Sequence, residues 1–228
     1  MRSSHPVLLS IDTSTRIVGL ALYNGFQVLS EQIWTSHDHH TVELAPAVSN
    51  LLESSQLKPT DLGAIAVALG PGSFTGLRIG LAFAKGLVLA QNLSLIGIPS
   101  LDVLAAAQPV LAEKMAAVLL AGRGRLAVSW YQADGQSWRT IGKIEVLTVQ
   151  ELLECIQSPT QICGELTDAE RKQLGGKHKL IQLASPAASL RRPSYLAELA
   201  WERWQIGQFD DPASLSPIYL HYNDPIPG

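Results

Sequence analysis

Ala68-Leu69-Gly70-Pro71-Gly72-Ser73-Phe74-Thr75-Gly76-Leu77-Arg78-Ile79-Gly80 joins two apolar patterns of different period through one turn. Before it, residues 63–69 show no polar alternation, as in a central strand covered on both faces. After it, residues 76–91 predict a helix whose only charges as far as Ala90 are Arg78 and Lys85. Three glycines and a proline within seven residues allow positive φ and close backbone approach. Ser73 or Thr75 is placed to cap the helix that follows. The string is not a P-loop, since no Lys-Ser/Thr follows the last glycine, and it is not GxGxxG. A strand, a glycine turn and a long helix make the unit of an α/β fold.

Outward from this unit the pattern repeats. Residues 7–12, 17–23 and 28–34 read as strands, the second ending at the hairpin signal Asn24-Gly25. A helix over 41–55 carries Leu44, Val48, Leu51, Leu52 and Ser55 on one side, and Pro46 within it predicts a late start or a kink. Residues 93–98 form a strand and 101–107 a short helix. A reduced second set starts at Gln108-Pro109, with strands at 115–120, 126–131, 141–147, 161–163 and 179–183 and helices at 150–156 and 195–206. Residues 212–228 are proline-rich and irregular. Two similar α/β halves are expected, 1–107 and a smaller 108–228.

Composition narrows the function classes. The 228 residues are 46% hydrophobic but only 16% charged, against about 25% in ordinary soluble domains, which hints at a buried partner face. The net charge of −3 and runs of positive charge no longer than pairs such as Arg191-Arg192 argue against an autonomous nucleic-acid grip. Cys155 and Cys163 have no CxxC spacing and read as buried, reduced residues. Without an apolar run of about 18 residues or a signal-peptide core, the expectation is a cytoplasmic protein with no membrane contact.

Two turns could carry chemistry. Asp12-Thr13-Ser14-Thr15 ends the first strand, and small hydroxyl residues with free N–H groups in a tight turn can nest an anion; equally, Asp12 can cap its own turn. Asp12, Thr13 and Ser14, with Gly70, Gly72 and Ser73, are the candidate phosphate or nucleotide contacts. The cluster Ser36-His37-Asp38-His39-His40 invites a metal reading, but Asp38 suits a helix N-cap and His178 and His221 stand apart, so no metal site is expected. GxSxG and HExxH are both missing, and no catalytic residue is assigned.

The helix from 76 is apolar nearly all round, and such a helix is buried nearly all round. Gly76, Gly80 and Ala84 form a small-residue strip open to another helix. Either the second half of the chain covers it or a partner does. The candidate partner interface is Leu44, Val48, Leu51, Leu77, Gly80, Leu81, Ala84, Leu87 and Val88.

Ile11-Asp12-Thr13-Ser14-Thr15, the helix over 44–52, the 68–80 string, Ala84-Lys85-Gly86 and Gly97-Ile98-Pro99-Ser100-Leu101 together resemble the TsaB family. The resemblance covers about the first 105 residues. It implies two actin-like (ASKHA, ribonuclease H-like) α/β domains with mixed sheets and flanking helices. It also implies a non-catalytic scaffold that binds and activates TsaD, the paralogous transferase of tRNA threonylcarbamoyladenosine synthesis. The TsaE ATPase joins the complex, tRNA is met through it, and a homodimer is expected when the chain is alone. No cofactor of its own follows, with ATP or ADP admitted at the complex interface. TsaD carries a His-x-x-x-His pair where this chain has Ser100-Leu101-Asp102-Val103-Leu104, so the metal's imidazoles are missing. Ala121-Gly122-Arg123-Gly124-Arg125-Leu126 replaces the family's Asp-Ala-Arg, and Pro217-Ile218-Tyr219-Leu220-His221 its Pro-x-Tyr-x-Arg. The competing class is an enzyme acting alone, an actin-like small-molecule kinase built on Asp12 or a metalloprotease.

Overall fold

The computed structural model describes residues 6–36, 40–175 and 179–220. Strands β1 (Val7–Asp12), β2 (Ile17–Tyr23) and β3 (Val28–Thr35) form a meander, and α1 (His40–Ser54) leads on to β4 (Leu62–Ala68). Then α2 (Phe74–Gln91) crosses to β5 (Ser94–Ile98) and α3 (Ser100–Ala106). The second set is β6 (Lys114–Gly122), β7 (Arg125–Asp134), β8 (Ser137–Thr148), α4 (Val149–Cys155), β9 (Thr160–Gly164), α5 (Asp168–Gly175) and β10 (Ile181–Leu183), followed by α6 (Pro193–Gln205).

The sheets are ordered β3-β2-β1-β4-β5 and β8-β7-β6-β9-β10. In each, an antiparallel meander is followed by two strands parallel to its first member. Helices make the parallel crossovers, as such connections require. This order, used twice, is the two-domain actin-like α/β fold. Helix α1 runs continuously through Pro46. Helix α5 has no counterpart in the sequence reading, because Asp168–Gly175 buries only Leu174 and carries no apolar stripe.

The chain divides into Met1–Ala107 with Arg191–Pro217, and Gln108–Leu190 with Ile218–Gly228. The expectation that 108–228 is one unbroken unit is therefore corrected: α6 belongs to the first sheet. Its Leu196, Ala197 and Ala200 share one buried cluster with Leu8, Ala64, Ala66, Ala68, Ile96, Ile98 and Val103. The alanines of β4 let the helix lie close. Side chains alternate along a strand, so Leu9, Ile11, Ile65 and Val67 point to the other face, where α2 lies along β4. In the second unit, Ala116, Val118, Leu126, Val128, Leu152, Ile162 and Leu174 form a separate core.

The outer edge of β5 is sealed from within the first unit. The Asp210 N–H donates to the Leu95 carbonyl at 2.7 Å, and the Gly97 N–H donates to Asp210 Oδ2 at 2.8 Å. Arg203 Nη1 donates to the Gly97 carbonyl at 2.7 Å while its Nη2 reaches both Asp210 oxygens. No helix among the described residues is long and apolar enough to cross a membrane.

Candidate functional site: a latched turn and an exposed helix face

The two candidate turns meet. Ser73 N–H donates to the Ser14 carbonyl at 2.6 Å, and Thr13 Oγ1 donates to the Gly76 carbonyl at 2.8 Å. Ser14 and Ser100 hydroxyls bond at 2.6 Å, and Ser100 Oγ also accepts from Gly70 N–H at 3.1 Å. Gly70 sits at φ +101°, where a side chain would be strained. A Cβ on Gly72 would overlap the Ser14 carbonyl, so only glycine lets the turns approach this closely. Ser73 caps α2, its hydroxyl accepting from Gly76 N–H at 3.2 Å.

Asp12 is held on both oxygens. Oδ1 accepts from Ser14 N–H at 2.8 Å, the self-capping turn that the sequence left as one option. Oδ2 accepts from Arg191 Nε at 2.8 Å, with side-chain exposures of 0% for Arg191 and 2% for Asp12. Arg191 Nη2 also donates to Thr15 Oγ1 at 2.9 Å. Sequence reasoning missed Arg191 as a site residue: it lies 179 positions from Asp12, and nothing local distinguishes it from the exposed Arg192 beside it.

Helix α2 has two unlike faces. The strip Gly76, Gly80, Ala84 is turned inward, and Cβ atoms on Gly76 and Gly80 would overlap the carbonyl and hydroxyl oxygens of Thr13. Leu77, Leu81, Ala84 and Val88 are buried, as are Leu44, Val48 and Leu51 of α1. Of the expected interface residues, these and Gly80 are spent inside the first unit, and Leu87 is half-buried. The expectation of an open Gly76–Gly80–Ala84 strip is overturned: Thr13 fills it at Gly76 and Gly80, and Ala84 is fully buried.

The outer face carries Phe74, Ile79, Ala82, Phe83, Gly86, Leu89 and Ala90, with Phe74 57% and Leu89 75% exposed. Between this face and α1 lies a groove of about 530 Å³, lined by Thr41, Leu44, Phe74, Thr75, Arg78, Ile79, Ala82 and Phe83. Arg78 lies 5.1 Å from the Phe74 ring centroid and gives the groove a cationic rim. Leu44 is the one expected interface residue that lines it. Both possibilities for covering the helix thus need amendment, since one face is covered by the chain's own first turn.

Cys163 is buried, and burial pushes its thiol up to about 12. Cys155 is exposed, contrary to expectation, at the end of α4. Among the described residues no three His, Cys, Asp or Glu side chains gather as a metal site. His37, Asp38, His39, His178 and His221 lie outside the described residues.

Residues 27–191 match the family described as "TsaD: tRNA N6-adenosine threonylcarbamoyltransferase". The chain is 30% identical over 220 residues to the tRNA threonylcarbamoyladenosine biosynthesis protein TsaB of Bacillus subtilis (strain 168), a match spanning 93% of each protein. It belongs to the TsaB family. Escherichia coli (strain K12) TsaB is 36% identical over 129 residues, 56% of this chain and 55% of that protein. A solved structure, an uncharacterized protein with similarity to peptidase YEAZ from Pseudomonas aeruginosa, superposes with a TM-score of 0.78 at 24% identity. It covers 95% of this chain and all of that one, and shares the fold. In this TsaB-family chain, Ser100, Leu101, Val103 and Leu104 are buried at the opening of α3.

Proposed function

We propose that this chain is a non-catalytic subunit in the synthesis of threonylcarbamoyladenosine on tRNA, binding and activating a TsaD-type transferase through the outer face of α1 and α2. The names of its relatives support the pathway. The observation that carries the partner role is the open apolar groove on a helix whose other face is already used by the chain itself. Fully burying a large apolar side chain contributes roughly 1.5–3 kcal/mol. Phe74, Ile79, Phe83 and Leu89 together therefore supply enough to offset part of the cost of association. A TsaE-type ATPase and tRNA are then engaged through the complex, in keeping with the net charge of −3. When no transferase is present, the same face pairs two copies symmetrically.

A kinase acting alone would need the Asp12 carboxylate for magnesium or as a base, and that carboxylate is bound to Arg191. The test is co-purification with the transferase. Ala82→Arg and Phe83→Asp should each weaken pairing at least a hundredfold while leaving thermal unfolding almost unchanged. Pairing that survives both changes would rule the face out. A threonylcarbamoylation assay with and without this chain tests activation separately.

A further inference from the structure

An actin-like fold raises the question of a nucleotide at its first turn, and the residues present do not fit one. A phosphate nest needs free N–H groups and hydroxyls, and a magnesium ion needs a carboxylate with open coordination positions. Here the Asp12 oxygens accept from Ser14 N–H and Arg191, the Thr13 hydroxyl donates to Gly76, and the Ser14 hydroxyl bonds Ser100. The Ser14 carbonyl lies so close to Gly72 that even a Cβ there would overlap it, so that side of the glycine turn is already filled.

We infer that Arg191 is a built-in counter-cation: its guanidinium takes the place beside Asp12 that a divalent ion would need, and so keeps the turn closed to nucleotide. The charge arithmetic fits this substitution. One carboxylate is matched by one fixed positive charge, and the guanidinium fork reaches Asp12 and Thr15 at once, as a planar donor can. Both partners are withdrawn from water, so a dissolved cation competing for Asp12 would have to displace a prepaired, desolvated group. ATP or ADP in any assembly of this chain is then held by the other subunit. This inference does not depend on which partner covers α2.

The experiment titrates the full chain with Mn²⁺, followed by electron paramagnetic resonance, and with ATP-magnesium, followed by calorimetry. Wild type should bind neither. Arg191→Met, of similar volume without the charge, should bind Mn²⁺ at least tenfold more tightly than wild type. The double variant Asp12→Asn/Arg191→Met should lose that gain. A folded Arg191→Met chain with no gain in Mn²⁺ affinity would overturn the inference. Should Arg191→Met alone fail to fold, wild type and the neutral double variant still decide the matter. ATP-magnesium binding to wild type that disappears in the double variant overturns it, and absence of binding in both upholds it.

Discussion

The two faces of α2 are made from the same kinds of residue and end in opposite states. Inward, Gly76, Gly80 and Ala84 lie one turn apart; the two glycines receive Thr13 and Ala84 is fully buried. Outward, Ala82, Gly86 and Ala90 lie one turn apart, and a Cβ on Gly86 would meet nothing within 4 Å. Both strips would pass as a close-packing helix seam. What separates them is a residue from elsewhere in the chain: the Asp12 turn, held by Arg191, arrives at one strip and leaves the other bare. A small-residue period thus marks a face fit for close approach without saying what approaches.

The hardest blow to this arrangement should come from Arg191→Met. It removes the partner of a buried carboxylate, which typically costs about 3–5 kcal/mol. Urea unfolding should show the midpoint falling with little change in slope, and a loss below about 1 kcal/mol would mean that the latch does not hold the inner face. Next comes Gly76→Ala, whose Cβ meets a backbone carbonyl that cannot rotate away; about 2–3 kcal/mol of stability should go. Gly86→Ala tests the other face with the same chemistry. With open space beside it and a gain in helix propensity, it should stabilise the free chain by about 0.5–1 kcal/mol. Equal effects at Gly76 and Gly86 would erase the contrast between the faces.

The smallest effect is a control away from α2. Burial opposes the charge on Glu31, but hydrogen bonds from Arg192 and Ser194 outweigh it and hold the carboxyl below the ordinary glutamate range. A lowered folded value means that the contribution is present above the ordinary value and is lost as pH falls through the folded one. Arg192 is half exposed, so the pair contributes under about 1 kcal/mol. Glu31→Gln should flatten the acid limb of a stability–pH curve and leave both the Gly76 and Gly86 effects unchanged.

Much of the fold was legible because its signals are local. The apolar run before Gly70, the hairpin at Asn24-Gly25 and the helical spacing of Leu44, Val48 and Leu51 each report their element within a few residues. Three features were not legible. Helix α5 is short and polar, so its helicity has no periodic signature. The return of α6 to the first sheet is decided by its fit to Ala64, Ala66 and Ala68, far away in the chain. The direction of the α2 strip rests on Arg191, whose partner is fixed by tertiary approach alone. The candidate contacts Asp12, Thr13, Ser14, Gly70, Gly72 and Ser73 lie on two turns that meet, and what joins them is bonding and close packing within the chain itself.

The segment around Asp210 has a practical consequence for handling this chain. It occupies the hydrogen-bonding rim of β5, where Leu95 and Gly97 would otherwise present a ready template for a neighbouring molecule's strand. A truncation placed after Ile206, just beyond α6, would preserve every named strand and helix while uncapping that rim. Such a shortened protein should sediment as sticky, strand-linked aggregates, so any tag or cut designed near the C-terminal end belongs after Pro217.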